Sequence, residues 1–153
     1  MGWSKATIQT GKIWGTLPIQ LLKLHEGNET YIYDPYSYNT MNYYEFVSDE
    51  YVGVSWIHHF DGFFLNKIPF VKKLKFREMI YGKALIGRLN NANLNYNILP
   101  ETTYTLSHPY YEAGFAIENI LKVFSIDFIW RLSYLDHPNA KKFYILGTLN
   151  LSI

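Results

Sequence analysis

The chain has 153 residues, enough for one domain with a real core, and its 14 basic side chains nearly balance 13 acidic ones, which offers nothing to nucleic acid or an acidic substrate. It contains no cysteine, which excludes disulfides, thiolate nucleophiles and cysteine metal sites. Aromatics make up 18% of it, led by 14 tyrosines, and no apolar run approaches the roughly 18 residues of a membrane-spanning helix.

The opening stretch MGWSKATIQTGKIWG has neither a basic n-region nor an apolar h-region, so it does not read as a signal peptide. Residues 5–16 predict a strand with imperfect alternation. Residues 17–39 are irregular, punctuated by Pro, Gly and Asp-Pro, with room for a short strand at 29–33. MNYYEFVSD (41–49) and YVGVSWIHHF (51–60) predict a hairpin about Ser-Asp-Glu, with Val52, Val54, Trp56, His58 and Phe60 on one face against Gly53, Ser55 and His59.

Residues 61–73 break the pattern, and Pro69 forbids a central strand there. Alternation resumes over 74–89, where Leu74, Phe76, Ile80, Ala84 and Ile86 oppose Lys75, Arg77, Tyr81 and Lys83. Glu78 falls on the apolar face, which predicts a bulge or an interface position. Residues 90–109 read as a long Asn-rich loop, with room for a strand at 101–107. Then Tyr111, Ala113, Phe115 and Ile117 alternate with Glu112, Gly114, Ala116 and Glu118.

FSIDFIWRLSYL (124–135) has the clearest period of two: Phe124, Ile126, Phe128, Trp130, Leu132 and Tyr134 against Ser125, Asp127, Ile129, Arg131 and Ser133. After a DHPNA turn, FYILGTLNLSI (143–153) supplies the last strand. No helix of any length is expected. The fold class is therefore all-β, an antiparallel meander of long strands.

The alternation leaves the inside undecided. A soluble protein would bury the aromatics, whereas a membrane barrel would turn them to lipid and the charges to its lumen. Strand length favours the membrane, because soluble strands usually run about 5–6 residues while a 12-residue strand tilted by about 45° spans roughly 28 Å. The five histidines form no ligand-like spacing, and His58 and His59 point to opposite faces, so no metal and no cofactor is expected. No nucleophile motif such as GxSxG occurs, so no catalytic residue is assigned and no enzyme is expected. The basic stretch Lys67–Lys75 reads first as a solvated turn, with contact to lipid head groups as the functional alternative.

The runs GKIWGTLPIQLLKLHEGNETY, NYYEFVSDEY, HHFDGFFLNKIP and RLSYLDHPN closely resemble one family over roughly residues 10–153. It is the C-terminal barrel region, a domain of unknown function, of Bacteroidota carboxypeptidase-regulatory-like-domain-containing outer-membrane proteins. A more distant resemblance runs to surface-antigen barrels of the outer-membrane assembly and translocation superfamily. The resemblance implies the C-terminal part (1–153) of a transmembrane β-barrel in the bacterial outer membrane, of unassigned activity within transport or outer-membrane assembly. It also implies an upstream signal peptide, an N-terminal domain and earlier barrel strands. The implied partners are outer-membrane lipid and those remaining strands, without nucleic acid and with no small-molecule ligand identified.

On that reading Lys75, Arg77, Lys83, Glu112, Glu118, Asp127 and Arg131 face the lumen, and Trp56, Phe115, Phe128, Trp130 and Tyr134 face lipid or the aromatic girdles. With the C-terminus periplasmic, the DHPNA turn and the 90–109 loop are extracellular, and the 61–73 connection and the turn at 119–123 are periplasmic. The alternative is a soluble lipocalin-like barrel whose aromatics line an apolar ligand cavity.

Overall fold

The computed structural model describes residues 2–149; the end of the last expected strand, 150–153, lies outside the described residues. Its frame is a six-stranded antiparallel sheet in the order β1 (Trp3–Lys12), β4 (Glu50–His59), β5 (Arg77–Arg88), β7 (Tyr110–Ile120), β8 (Phe124–Arg131) and β9 (Phe143–Leu149). A smaller sheet joins β2 (Lys23–Leu24), β3 (Phe46–Ser48) and β6 (Tyr104–Thr105). Two short helices complete it, α1 (Pro69–Lys72) and α2 (Asn91–Tyr96). The large sheet is open: β1 and β9 are its edges, and they do not pair with each other among the described residues.

Three local expectations are corrected. The 41–49/51–60 hairpin does not form: after Asp49 the chain passes from β3 in the small sheet directly into β4, whose partners are β1 and β5. The 90–109 segment contains a helical turn, α2, capped where the Asn90 side chain accepts the Asn93 amide at 2.8 Å. Glu78 causes no bulge, since β5 pairs in unbroken register on both sides. Its carboxylate instead accepts the Leu65 amide of the connection that precedes the strand.

The two faces of the large sheet differ in chemistry and in exposure. Tyr111, Phe115, Phe124, Ile126, Trp130, Phe143, Ile145 and Leu149 all lie on one exposed face with Val52, Val54, Trp56 and Ile86. Lys83, Glu112, Asp127 and Arg131 lie on the other, and all four are buried. Residues 13–49 cover this polar face. Tyr33 packs with Met79, Tyr81, Ile129, Tyr144 and Leu146, while Met41 and Phe46 pack with Leu85, Tyr110 and Tyr134. The segment also meets the β9 edge, where Gly147 donates to the Tyr31 carbonyl and accepts from the Tyr33 amide. Glycine makes close approach possible: a Cβ on Gly114 would stand 2.7 Å from the Tyr81 hydroxyl, and one on Gly53 would stand 2.8 Å from that of Tyr38.

Register places Ala6, Trp56, Gly82, Ala113, Trp130 and Phe143 in one row across the sheet. That row crosses β4 near its His59 end, yet it meets β9 at its first residue, Phe143, far from Leu149. The strands are thus progressively staggered, as inclined strands in a wall of even height must be.

Candidate functional site: a polar clasp on the buried face

Three buried charges on neighbouring strands hold the covering segment, Lys83 and Glu112 chiefly through its backbone and Arg131 chiefly through the Glu45 side chain. Lys83 of β5 donates to the carbonyls of Asp34, Pro35 and Ser37 at 3.3, 3.2 and 2.5 Å. Glu112, its register partner on β7, accepts the amides of Asn39 and Thr40 at 3.0 Å each, and the Thr40 and Tyr110 hydroxyls at 3.0 and 3.2 Å. The Lys83 ammonium and the Glu112 carboxylate stand 3.9 Å apart. A cation reading carbonyls and an anion reading amides therefore clasp opposite ends of residues 34–40. Buried charge is tolerable only when its hydrogen-bonding capacity is met in this way.

Arg131 of β8 forms the third hold. Its guanidinium makes a fork to Glu45 at 2.9 and 2.5 Å and donates to the Thr40 and Ser133 carbonyls. Glu45 also accepts the Asn42 amide and meets the His137 ring, both at 2.9 Å. Burial alone would raise the Glu45 carboxyl, but hydrogen bonds from Arg131 and Asn42, and the Arg131 charge, bring it below its ordinary value.

A second network anchors the segment's root. Asn93, fully buried in α2, accepts the Leu17 amide at 2.8 Å and donates to Asp49 at 2.9 Å, and Asp49 also accepts the Asn90 amide. His25, buried beside β3, meets the Ser48 hydroxyl at 3.0 Å and the edge of the Tyr51 ring. Burial, reinforced by the Lys23 charge, lowers its pKa to about 4.

Deeper along the polar face, Asp127 accepts the Thr148 hydroxyl at 3.2 Å, while its other oxygen and the buried hydroxyls of Tyr33 and Tyr81 have no partner among the described residues. Beside the clasp a cavity of about 310 Å³ with a mixed lining lies between residues 35–38 and the β1–β4 pair, with Lys5, Gln9 and Lys83 beside Pro35, Tyr38 and Ile57.

The expected site residues separate as follows. Lys83, Glu112, Asp127 and Arg131 converge on the buried face, and Glu118 is half-buried on the same face, bonded to His59 at 2.9 Å. Arg77 is exposed at the first residue of β5, and Lys75 precedes the strand in a left-handed conformation, so neither joins the clasp. Trp56, Phe115 and Trp130 are exposed on the outward face, with half-buried Phe128 stacked between strands against Phe115.

Tyr134 corrects its expectation: it is buried, its ring stacks on His108 at 3.8 Å, and its hydroxyl donates to the His108 carbonyl. Regular alternation stops at Arg131, where β8 ends, so the parity that assigned Tyr134 outward no longer applies. Glu45, Asn39, Thr40 and Asn93 were not singled out from the sequence. The Asn-x-x-Asn spacing at 90–93 was a legible cap signal; nothing local marks Glu45 as the partner of an arginine 86 positions away.

The fold and clasp define a class: an antiparallel sheet with a charged, filled face and an apolar, exposed one. Residues 16–98 match the family described as "Family of unknown function (DUF5686) C-terminal domain", more than half of the chain, and the protein belongs to that family. No curated protein and no solved structure matches it.

Proposed function

We propose that this chain supplies the C-terminal strands of a bacterial outer-membrane β-barrel, with its polar face toward the lumen and residues 13–49 folded into that lumen as a plug. One observation carries the reading. Across β4, β5, β7, β8 and β9 the outward face bears no charge except Glu50, Arg88 and Glu78, all near strand ends. A ten-residue strand such as β4 extends roughly 33 Å and, inclined by about 45°, spans close to the roughly 25 Å apolar band of such barrels.

The stagger of the register supports inclination, and the long extracellular excursion 13–49 supports the plug. A soluble ligand-binding barrel would need the aromatics around a cavity, but Trp56, Phe115 and Trp130 lie on the opposite face from every buried residue of the clasp. The finer resemblance to Bacteroidota carboxypeptidase-regulatory-like outer-membrane proteins, and an activity in transport or outer-membrane assembly, belong to this same reading. The cavity of mixed lining beside the clasp is where a solute path would run.

The decisive experiment expresses the chain behind a signal peptide, alone and fused to upstream barrel strands, and reads outer-membrane insertion by heat-modifiable gel mobility. A folded, heat-modifiable band in the fused form is the expected outcome. A monodisperse, folded protein in detergent-free buffer would sink the reading.

A further inference from the structure

Opposite the plug, the sheet ends in the 60–76 connection and the tight turn at 119–123. Cations crowd this end: Lys67, Lys72, Lys73, Lys75, Arg77 and Lys122 are all exposed, and none makes an ion pair among the described residues. The acidic groups at this end, Asp61, Glu78 and Glu118, offset only half of the six cations, and Glu78 and Glu118 are turned to the Leu65 amide and the His59 ring.

Among the cations stand exposed apolar side chains, Phe63, Phe64, Ile68, Phe70 and Leu74, with Phe70 85% exposed. A chain of ring contacts, Trp56–His58–Phe60–Phe64–Phe63, carries the outward face of β4 beyond the strand into this cluster. Lys72, Lys75 and Arg77 also share one cleft of about 370 Å³ with the side-chain amides of Asn66 and Asn119 and with Asp61. Three cations against one carboxylate give the cleft a net positive charge, and the Asn119 amide, donating to the Lys75 carbonyl at 2.7 Å, helps fix its wall.

We propose that this end of the molecule docks on anionic phospholipid head groups, the cleft taking the phosphate and the phenylalanines entering the acyl boundary. The inference rests on the barrel reading for its orientation, which sets this end at the periplasmic leaflet. Its chemistry is that of an interfacial anchor, apolar side chains below the head groups and cations at phosphate level.

The test uses the full chain with vesicles of phosphatidylcholine alone and of phosphatidylcholine with about one-fifth phosphatidylglycerol, read by co-sedimentation at fixed ionic strength. Each cation near an anionic surface strengthens adsorption roughly fivefold, so a K72Q/K75Q/R77Q variant should lose about a hundredfold of the binding to the anionic vesicles. A K141Q/K142Q control at the other end should lose little. Equal wild-type binding to both vesicles would overturn the proposal without recourse to any variant. So would a triple variant as tight as wild type, or displacement by inorganic phosphate, which would make the cleft a free-anion site. Spanning is scored separately, by quenching of Trp56 and Trp130 with brominated acyl chains. Head-group selectivity without quenching would remove the barrel reading and leave the docking surface standing.

Discussion

At the scale of single residues, Arg131 decides how firmly the segment covering the sheet is seated. Its fork to Glu45 is fully desolvated, with both side chains almost wholly enclosed. A buried pair contributes little over a well-packed apolar pair, but removing one partner strands the other charge. Arg131→Met should therefore destabilise the protein by roughly 3–5 kcal/mol, measured by urea unfolding in lipid vesicles. Adding Glu45→Gln should recover part of that loss, because no lone carboxylate remains buried. A double variant no better than the single one would show that the lost hydrogen bonds to the Thr40 and Ser133 carbonyls, not the stranded charge, carry the cost.

At the scale of elements, a strand's two faces report which solvent each one meets. Phe128 sits mid-strand on the outward face of β8, flanked in register by Phe115 and Ile145. Phe128→Lys should cost about 2–4 kcal/mol if that face lies in hydrocarbon, by vesicle unfolding equilibria. On a water-facing surface the same change would be nearly neutral, so a cost within a few tenths would contradict the bilayer assignment. The alternation that makes this prediction was legible in the sequence, because period two survives wherever a strand is long and regular. Five of the six long strands were placed that way, and even β1, with blurred alternation, was marked as a strand. What was not legible is residues 13–49. Between β2 and β3, over 25–45, the backbone bonds of Asp34, Pro35, Ser37, Asn39 and Thr40 go to Lys83, Glu112 and Arg131, side chains tens of positions away, instead of a regular ladder. Such a segment carries no periodicity to read.

At the scale of the whole molecule, the chain divides into a wall and a filling, and acid should separate them. The wall is held by backbone ladders, which do not titrate. The filling is held partly by His25 and Glu45. His25 has its pKa lowered to about 4 from an ordinary 6.5, so the unfolded segment takes up a proton that the folded one refuses. Its contribution is complete above pH 6.5 and is lost as pH falls toward about 4, to a limit of roughly 3 kcal/mol. Glu45 is shifted below its ordinary 4.5, so its contribution persists above that value and is lost only at lower pH. Residues 13–49 should therefore loosen in two stages while the sheet stays folded. Limited proteolysis across this range should cut first within 13–49, and a His25→Gln variant should lack the upper stage. Simultaneous loss of plug protection and of strand amide protection would instead mean that the wall depends on its filling, and that the buried charges hold the sheet together as well as the segment lying on it.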